Sequence, residues 1–411
     1  MLDKSSLWIC CQLGAREHYA IPRALHQTGQ LVHLITDAWV LPKSPLHLLP
    51  KPFLANLRDR FHPDLTQASV HAFTSSLVHF ELTQRIQRTS GWECLIARNY
   101  WFQQQALQSL ERITPLLNAC PTLFAYSYAA LELFRYAKSK GWRTILGQID
   151  AGVVHDQLVL EEHAVYADYQ STWQPAPSHY WDTWKEECSL ADQIIVNSTW
   201  SSQALQQAGT STNKIYIVPL AYQPPEQARN FRRTYPLAFS AERPLRVLFL
   251  GKVSLAKGIA PLLEAAQILR EKFIKFLLVG SQSIAIPQQV KMLEQVQWIG
   301  AIPRRQTAQY YQLADVFLFP TLSDGFGLVQ LEAQAWKLPI IASRFCGEVV
   351  KDRVNGLILP EVTGEAIALA LEFCLNNPGQ LQAFVETATN MSEFSLSQLH
   401  HHIQSLPHAH L

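Results

Sequence analysis

The sequence contains no run of about twenty apolar residues, the length that a membrane-crossing helix requires. Its seven cysteines (Cys10, Cys11, Cys94, Cys120, Cys188, Cys346 and Cys374) form no C-x-x-C pair and no zinc-like spacing. That excludes a disulfide framework and a structural zinc site, and points to a reducing compartment. A surplus of one charge is missing too, with 34 Lys and Arg against 33 Asp and Glu. A chain so balanced is not built to neutralise nucleic-acid phosphates, so no nucleic-acid partner is expected. Neither half carries G-x-G-x-x-G after its first strand, which argues against a dinucleotide-dependent oxidoreductase. Near the N-terminus, Leu7 to Cys11 is too short for a signal peptide and no cleavage site follows it. The expected location is cytoplasmic, with peripheral attachment to the inner face of a membrane left open.

What is present is an ordinary globular composition, 48% hydrophobic and 16% charged over 411 residues, enough for two cores. Short apolar runs alternate with helix-period segments, the sequence form of βαβ units on parallel sheets. In the first half, strands are predicted at Leu7 to Cys11, Leu31 to Thr36, Thr144 to Ile149 and Gln193 to Asn197. A helix is predicted over Tyr19 to Thr28, and another is opened by Ser198 or Thr199. Pro224, Pro225, Pro236 and Pro244 punctuate a stretch without periodicity, read as a linker over 223–244. Beyond it, strands are predicted at Leu245 to Leu250, Phe276 to Val279, Val296 to Ile299, Val316 to Phe319 and Pro339 to Ala342. The helices between them run over Ile259 to Lys272, Thr307 to Leu313 and Leu328 to Lys337. The reading is an α/β chain of two Rossmann-like domains, 1–222 and 245–388, with a closing segment 389–411 whose helix crosses back to the first domain. The histidines His400, His401, His402, His408 and His410 lack a ligand pattern and read as a solvated helix face and tail.

Two stretches of the second domain carry chemistry. Gly251-Lys252-Val253-Ser254-Leu255-Ala256-Lys257-Gly258 joins a strand to a helix, where open α/β sheets bind ligands, and Lys257 adds positive charge beside helix-start amides. Pro320 to Glu332 repeats that arrangement, with Asp324, Gly325, Phe326 and Gly327 in the turn and uncapped amides at Leu328 and Val329. Glu332 lies one helical turn on, and a carboxylate there suits the paired hydroxyls of a sugar or ribose.

Together these residues resemble the C-terminal domain of the retaining family 4 glycosyltransferases (glycosyl transferases group 1), whose two Rossmann-like domains face each other across a cleft in the GT-B fold. The resemblance covers about residues 245 to 385. It implies that Asp324 sits by the donor sugar and that Glu332 holds the ribose. It places Lys252 and Lys257 on the diphosphate with the amides of Gly327, Leu328 and Val329, and Ile302 beside the base. Gly280 and Gly300 also stand where the family has glycine. Three departures are visible: Lys252 replaces a commoner Arg, Asp324 a commoner Glu, and Trp336-Lys337 a small Cys-Gly pair. They mark where donor choice is expected to differ.

The first half is quieter. Gly14, followed by Arg16 and Glu17, lies where the family has a Gly-rich turn toward the donor diphosphate, although Ala15 replaces the second glycine. Asp150 and His155, beyond the strand ending at Ile149, are candidates for contact with the transferred sugar or the acceptor, and with Asp324 they form the catalytic set. The stretch Trp39 to Phe61 mixes apolar and basic residues and suits either an anionic membrane surface or an acceptor loop.

The resemblance thus implies transfer of a hexose-like sugar from a nucleoside diphosphate donor to a hydroxyl of a glycan, a lipid-linked or a small-molecule acceptor, with retained anomeric configuration. No cofactor is expected beyond the donor substrate. No D-x-D pair sits where a metal-bound diphosphate would require one, so no metal is expected either. A non-catalytic protein that binds the nucleotide sugar as a partner or sensor is the alternative.

Overall fold

The computed structural model describes residues 7–48, 57, 59–388 and 390–407. They build two parallel sheets. The first has seven strands: β1 (Trp8–Gln12), β2 (Leu31–Thr36), β3 (Val70–Ala72), β4 (Thr122–Tyr126), β5 (Arg143–Gly147), β6 (Gln193–Val196) and β7 (Ile215–Ile217), in the order β3-β2-β1-β4-β5-β6-β7. The second has six: β8 (Leu245–Leu250), β9 (Ile274–Val279), β10 (Val296–Gly300), β11 (Val316–Phe319), β12 (Ile340–Ala342) and β13 (Gly356–Ile358), in the order β10-β9-β8-β11-β12-β13. In both, the order reverses beside the first strand, so each sheet has a switch-point crevice at its carboxyl edge. Burial on both faces explains the near-continuous apolar runs: every residue of β1, β4 and β11 is buried.

Element ends differ from the sequence reading where backbone conformation intervenes. The helix expected from Tyr19 begins at Ala20, because Tyr19 is left-handed at φ 59°. The helix expected to reach Lys337 stops at Ala335, and Lys337 itself takes φ 53°, the turn-ending role in which glycine is favoured. The strand expected to reach Ile149 ends at Gly147. Ser198 caps the helix Thr199–Gln207, its hydroxyl accepting from Ser201 N at 3.1 Å.

The linker is anchored by Arg233, 7% exposed. Its guanidinium donates to Tyr311 O at 2.6 Å, to Trp336 O and Lys337 O at 3.1 Å, and also to Ala314 O. One cation thereby satisfies the orphan carbonyls at the ends of two helices. The Trp336-Lys337 pair faces the same way: Trp336 packs edge-on against Phe231 at 5.5 Å, and Lys337 Nζ donates to Phe231 O at 2.9 Å. This departure therefore grips the linker, and only the Trp336 ring also borders the cleft.

The closing helix Leu396–Gln404 lies on the first domain, with Leu399, Ile403 and Leu406 in one apolar cluster with Ile21 and Leu25. His400 contacts Gln30 Oε1 at 2.9 Å. Among the described residues no group of three or more His, Cys, Asp or Glu is placed to hold a metal ion, and none of their helices is long and apolar enough to cross a membrane. His408 and His410 lie outside the described residues, as do 49–56 and Arg58 of the stretch Trp39 to Phe61. In the described part of that stretch, Trp39 packs between Tyr19 and Phe61, and Leu57 is buried with Ala38, Val40 and Leu77. Trp39 and Phe61 are half-buried, and Leu41 of the same stretch is exposed.

Candidate functional site

The two carboxyl edges meet in a cleft. Gly325, in the turn after β11, lies so close to the first domain that a Cβ there would stand 2.1 Å from Ile149 O. Only glycine permits that approach. Three consecutive residues at the start of the helix Thr199–Gln207 hold the contact from the other side. Thr199 N donates to Glu348 Oε1 at 2.8 Å, Trp200 Nε1 to Ser323 Oγ at 3.1 Å, and Ser201 Oγ to Gly325 O at 3.3 Å.

Beside this contact lies a central cavity of about 300 Å³ between the domains. Gly251, Lys257, Asp324, Phe326, Gly327, Leu328 and Val329 line it from the second domain, and Arg16, Glu17, Ile149 and Asn197 from the first. The two loops of the second domain are tied by Leu322 N donating to Ala256 O at 3.0 Å. Gly327 begins the helix Leu328–Ala335 at φ 82°, and no side chain caps that helix, so its first amides face the cavity as anion donors. The Lys257 ammonium is paired with the Asp324 carboxylate and lies over the Phe319 ring. The other Asp324 oxygen accepts from Phe326 N at 3.3 Å.

The facing turn of the first domain is strained. Glu17, His18 and Tyr19 all have positive φ, 51°, 52° and 59°, at about 1–2 kcal/mol each. Gln12 holds this turn, its Nε2 donating to Gly14 O at 2.9 Å and Arg16 O at 3.0 Å. Such strain persists where the surroundings over-determine it, and it concentrates at functional sites. Burial pushes the Glu17 carboxyl up to about 7, against the opposing pull of Tyr126 and Arg16.

A second cavity, about 760 Å³, continues past Glu17 and is bordered by Glu332, Tyr311, Arg304 and His18. Glu332 Oε1 accepts from Arg304 at 3.1 Å and Oε2 from the Tyr311 hydroxyl at 2.8 Å. Arg304 also donates to the His18 ring, bridging the domains. Burial and then the Arg304 charge lower His18 to about 4, which keeps the imidazole neutral and able to accept.

A third cavity, about 260 Å³, opens on the other side of Arg16 and Ile149 and contains Asp150 and His155. Asp150 Oδ1 accepts from the Tyr128 hydroxyl at 2.6 Å, Gly152 N at 2.9 Å and Gln148 Nε2 at 3.1 Å. Glu187 fixes the Tyr128 loop by accepting from Tyr128 N at 2.7 Å and Ala130 N at 2.8 Å.

Of the residues singled out in the sequence, Lys257, Asp324, Phe326, Gly327, Leu328 and Val329 share the central cavity, with Gly325 at its closed end. Glu332, Asp150 and His155 stand in the flanking cavities. Three others are placed elsewhere. Lys252 is exposed and lines none of these cavities. Ile302 packs into the apolar cluster around β11. Gly14 is buried behind the strained turn, its N–H donating to Asp37 Oδ1 at 3.0 Å. A larger recess of about 1180 Å³ between the linker and the closing segment holds none of the residues expected to be catalytic or donor-binding, although Lys337 borders it. Arg304, Tyr311 and the aromatic lining around Asp150 carry no motif and were not legible in the sequence.

Comparison with known proteins finds similarity chiefly in the second half. Residues 238–391 match the family Glycosyl transferases group 1. A curated relative, D-inositol 3-phosphate glycosyltransferase of Xylanimonas cellulosilytica, is 24% identical over 371 residues, covering 82% of this chain and 77% of the relative. Two further relatives are matched over 48% and 41% of their own length. Among solved structures, sucrose-phosphate synthase from Thermosynechococcus elongatus superposes with a TM-score of 0.67 at 18% identity, covering 97% of each chain. Anabaena HepE in complex with UDP and glucose gives 0.58 at 14% identity, covering 97% of this chain and 98% of that one. The architecture is the GT-B fold.

Proposed function

We propose, from the match of residues 238–391 to the glycosyl transferases group 1 family, that the protein transfers a sugar from a nucleoside diphosphate donor to an acceptor hydroxyl. The observation that carries the reading is the central cavity, where Lys257, Asp324 and the open helix start at Gly327 converge opposite Arg16 and Glu17. HepE, with the same fold, is a complex with UDP and glucose, which makes a uridine diphosphate sugar the first donor to try.

In this reading the diphosphate lies on the Leu328 and Val329 amides and Lys257, with Glu332 on the ribose and Asp324 on the sugar hydroxyls. An acceptor oxygen bonds to the anomeric carbon as the bond from that carbon to the diphosphate oxygen breaks. The hydroxyl proton passes to the departing phosphate. Configuration is retained because attack comes from the leaving-group face. Lys257, Arg16 and the amides offset the developing charge, with no metal required.

A panel of nucleotide sugars, read by thermal shift and by release of free sugar, tests the donor site. NMR of the first-formed product gives its anomeric configuration, and a chelator series tests the metal-free step. If no nucleotide sugar shifts the melting temperature and none is turned over, the transferase reading is wrong.

A further inference from the structure

The cavity around Asp150 has a composition unlike the rest of the cleft. Trp92, Trp173, Tyr180 and Trp181 wall it. Trp92 stands at the start of the helix Gly91–Ile113, 4.9 Å from the Tyr180 ring, and its Nε1 donates to Gln174 O at 2.8 Å, so its position is fixed. Tyr180 in turn stacks on Tyr128 at 5.0 Å.

The polar groups between these rings are poised to meet hydroxyls. Three hydrogen bonds hold Asp150 through Oδ1, which leaves Oδ2 as an acceptor. Ser127 Oγ and His155 Nδ1 are buried and lack a hydrogen-bond partner among the described residues. Buried polar atoms without partners are uncommon and call for a ligand or water to complete them. Arg16 is the one Lys or Arg in the described lining, and its guanidinium lies 5.7 Å from the Tyr126 ring, at the wall shared with the central cavity. The same lining carries the carboxyl groups of Asp150 and Asp156. Such a lining does not suit a phosphate, which calls for clustered cations.

The volume, about 260 Å³, is the share of about nine waters at roughly 30 Å³ each, room for one six-membered sugar ring. Aromatic faces suit the apolar C–H face of such a ring, and carboxylate, hydroxyl and imidazole groups suit its hydroxyls. Because this cavity and the central one share Arg16 and Ile149, a ring held here has its edge at the donor site.

We infer that this cavity receives one neutral pyranose ring of the acceptor, so that the receiving hydroxyl belongs to a saccharide and not to a phosphorylated polyol or a long-chain alcohol. The inference rests on the transferase reading and narrows its acceptor.

The test has two arms. In the first, methyl pyranosides are titrated into the donor-free protein and followed by tryptophan fluorescence. A saturable change is expected, weakened about tenfold in Trp92→Ala and in Ser127→Ala. In the second, a donor that the protein turns over is offered with simple saccharides, a phosphorylated cyclitol and a long-chain alcohol. Saccharides are expected to accelerate donor consumption, with acceptor KM raised about tenfold in both variants and the donor-induced thermal shift unchanged. Trp92→Phe, which retains a ring, is expected to recover most of the loss. Preference for the phosphorylated or long-chain acceptor, or variants that leave the saccharide affinity unchanged, overturns the inference while the transferase reading stands. Failure of every nucleotide sugar to bind or turn over removes both.

Discussion

Lys257 and Asp324 form an ion pair across the mouth of the central cavity, although the resemblance assigns one to the diphosphate and the other to the sugar. A diphosphate arriving there must share the lysine with a carboxylate of its own sign. In the proposed reading this favours ligands that also engage Asp324 through hydroxyls.

Lys257→Ala is expected to lower transfer by about 10²–10³, the scale for removing one donor to a developing negative charge. Asp324→Asn keeps the shape and removes the competing charge. It is expected to bind free nucleoside diphosphate several-fold more tightly while transfer falls. Calorimetry with the diphosphate, alongside turnover of the sugar donor, separates the two effects. Equal loss of both in Asp324→Asn would show that the pair is only structural.

Gly325→Ala places a methyl group where Ile149 O already stands. The turn and the first domain must separate by about 1 Å, a displacement that costs on the order of 10² in rate when reacting groups are held by it. Activity is expected to fall by that factor with a far-UV spectrum unchanged. Full activity in this variant would mean that the domains do not work in the contact described.

Two groups at the domain boundary give stability opposite dependences on pH. His18, lowered to about 4 by burial and Arg304, contributes stability that is full above its unfolded value near 6.5 and is lost as pH falls toward 4. Glu162, raised to about 7 by burial and then by Glu264 of the other domain, contributes stability present below about 4.5 that declines as pH rises to about 7. Melting temperatures across pH 4 to 8 should therefore lose their acid limb in His18→Gln and rise at neutral pH in Glu162→Gln. Profiles that match the parent chain would rule out both assignments.

Arg233→Ala leaves the carbonyls at two helix ends without a donor. Loss of charge-assisted bonds to buried acceptors places the cost on the order of 3 kcal/mol, measurable by urea unfolding. A change below about 1 kcal/mol would show that water replaces the guanidinium freely.

Local patterning made much of this fold readable. Leu31–Thr36, Leu245–Leu250 and Val316–Phe319 are found at the residues where apolar runs bounded by turn residues place them. The central strand Thr122–Tyr126, between the helices Gly91–Ile113 and Leu131–Ser139, is absent from the strands read in the sequence. The second domain's cavity residues were legible because glycine turns and helix starts leave a mark in sequence. The first domain's contribution was not. Its turn at the cleft takes positive φ at Glu17, His18 and Tyr19 with no glycine among them to mark it, and its aromatic cavity draws on helices more than sixty residues apart. Lys252 is exposed and outside the cavity linings, and residue spacing alone does not report where a side chain at a strand end stands.

The helix Leu396–Gln404 and the turn after it supply Leu399, Ile403 and Leu406 to an apolar layer whose other members include Ile21 and Leu25. On the ribosome, the domain begun first therefore keeps that layer bare until its last helix emerges, after the whole second domain has been made. Nascent chains at that stage carry an uncovered apolar face, the kind of surface through which incomplete chains associate.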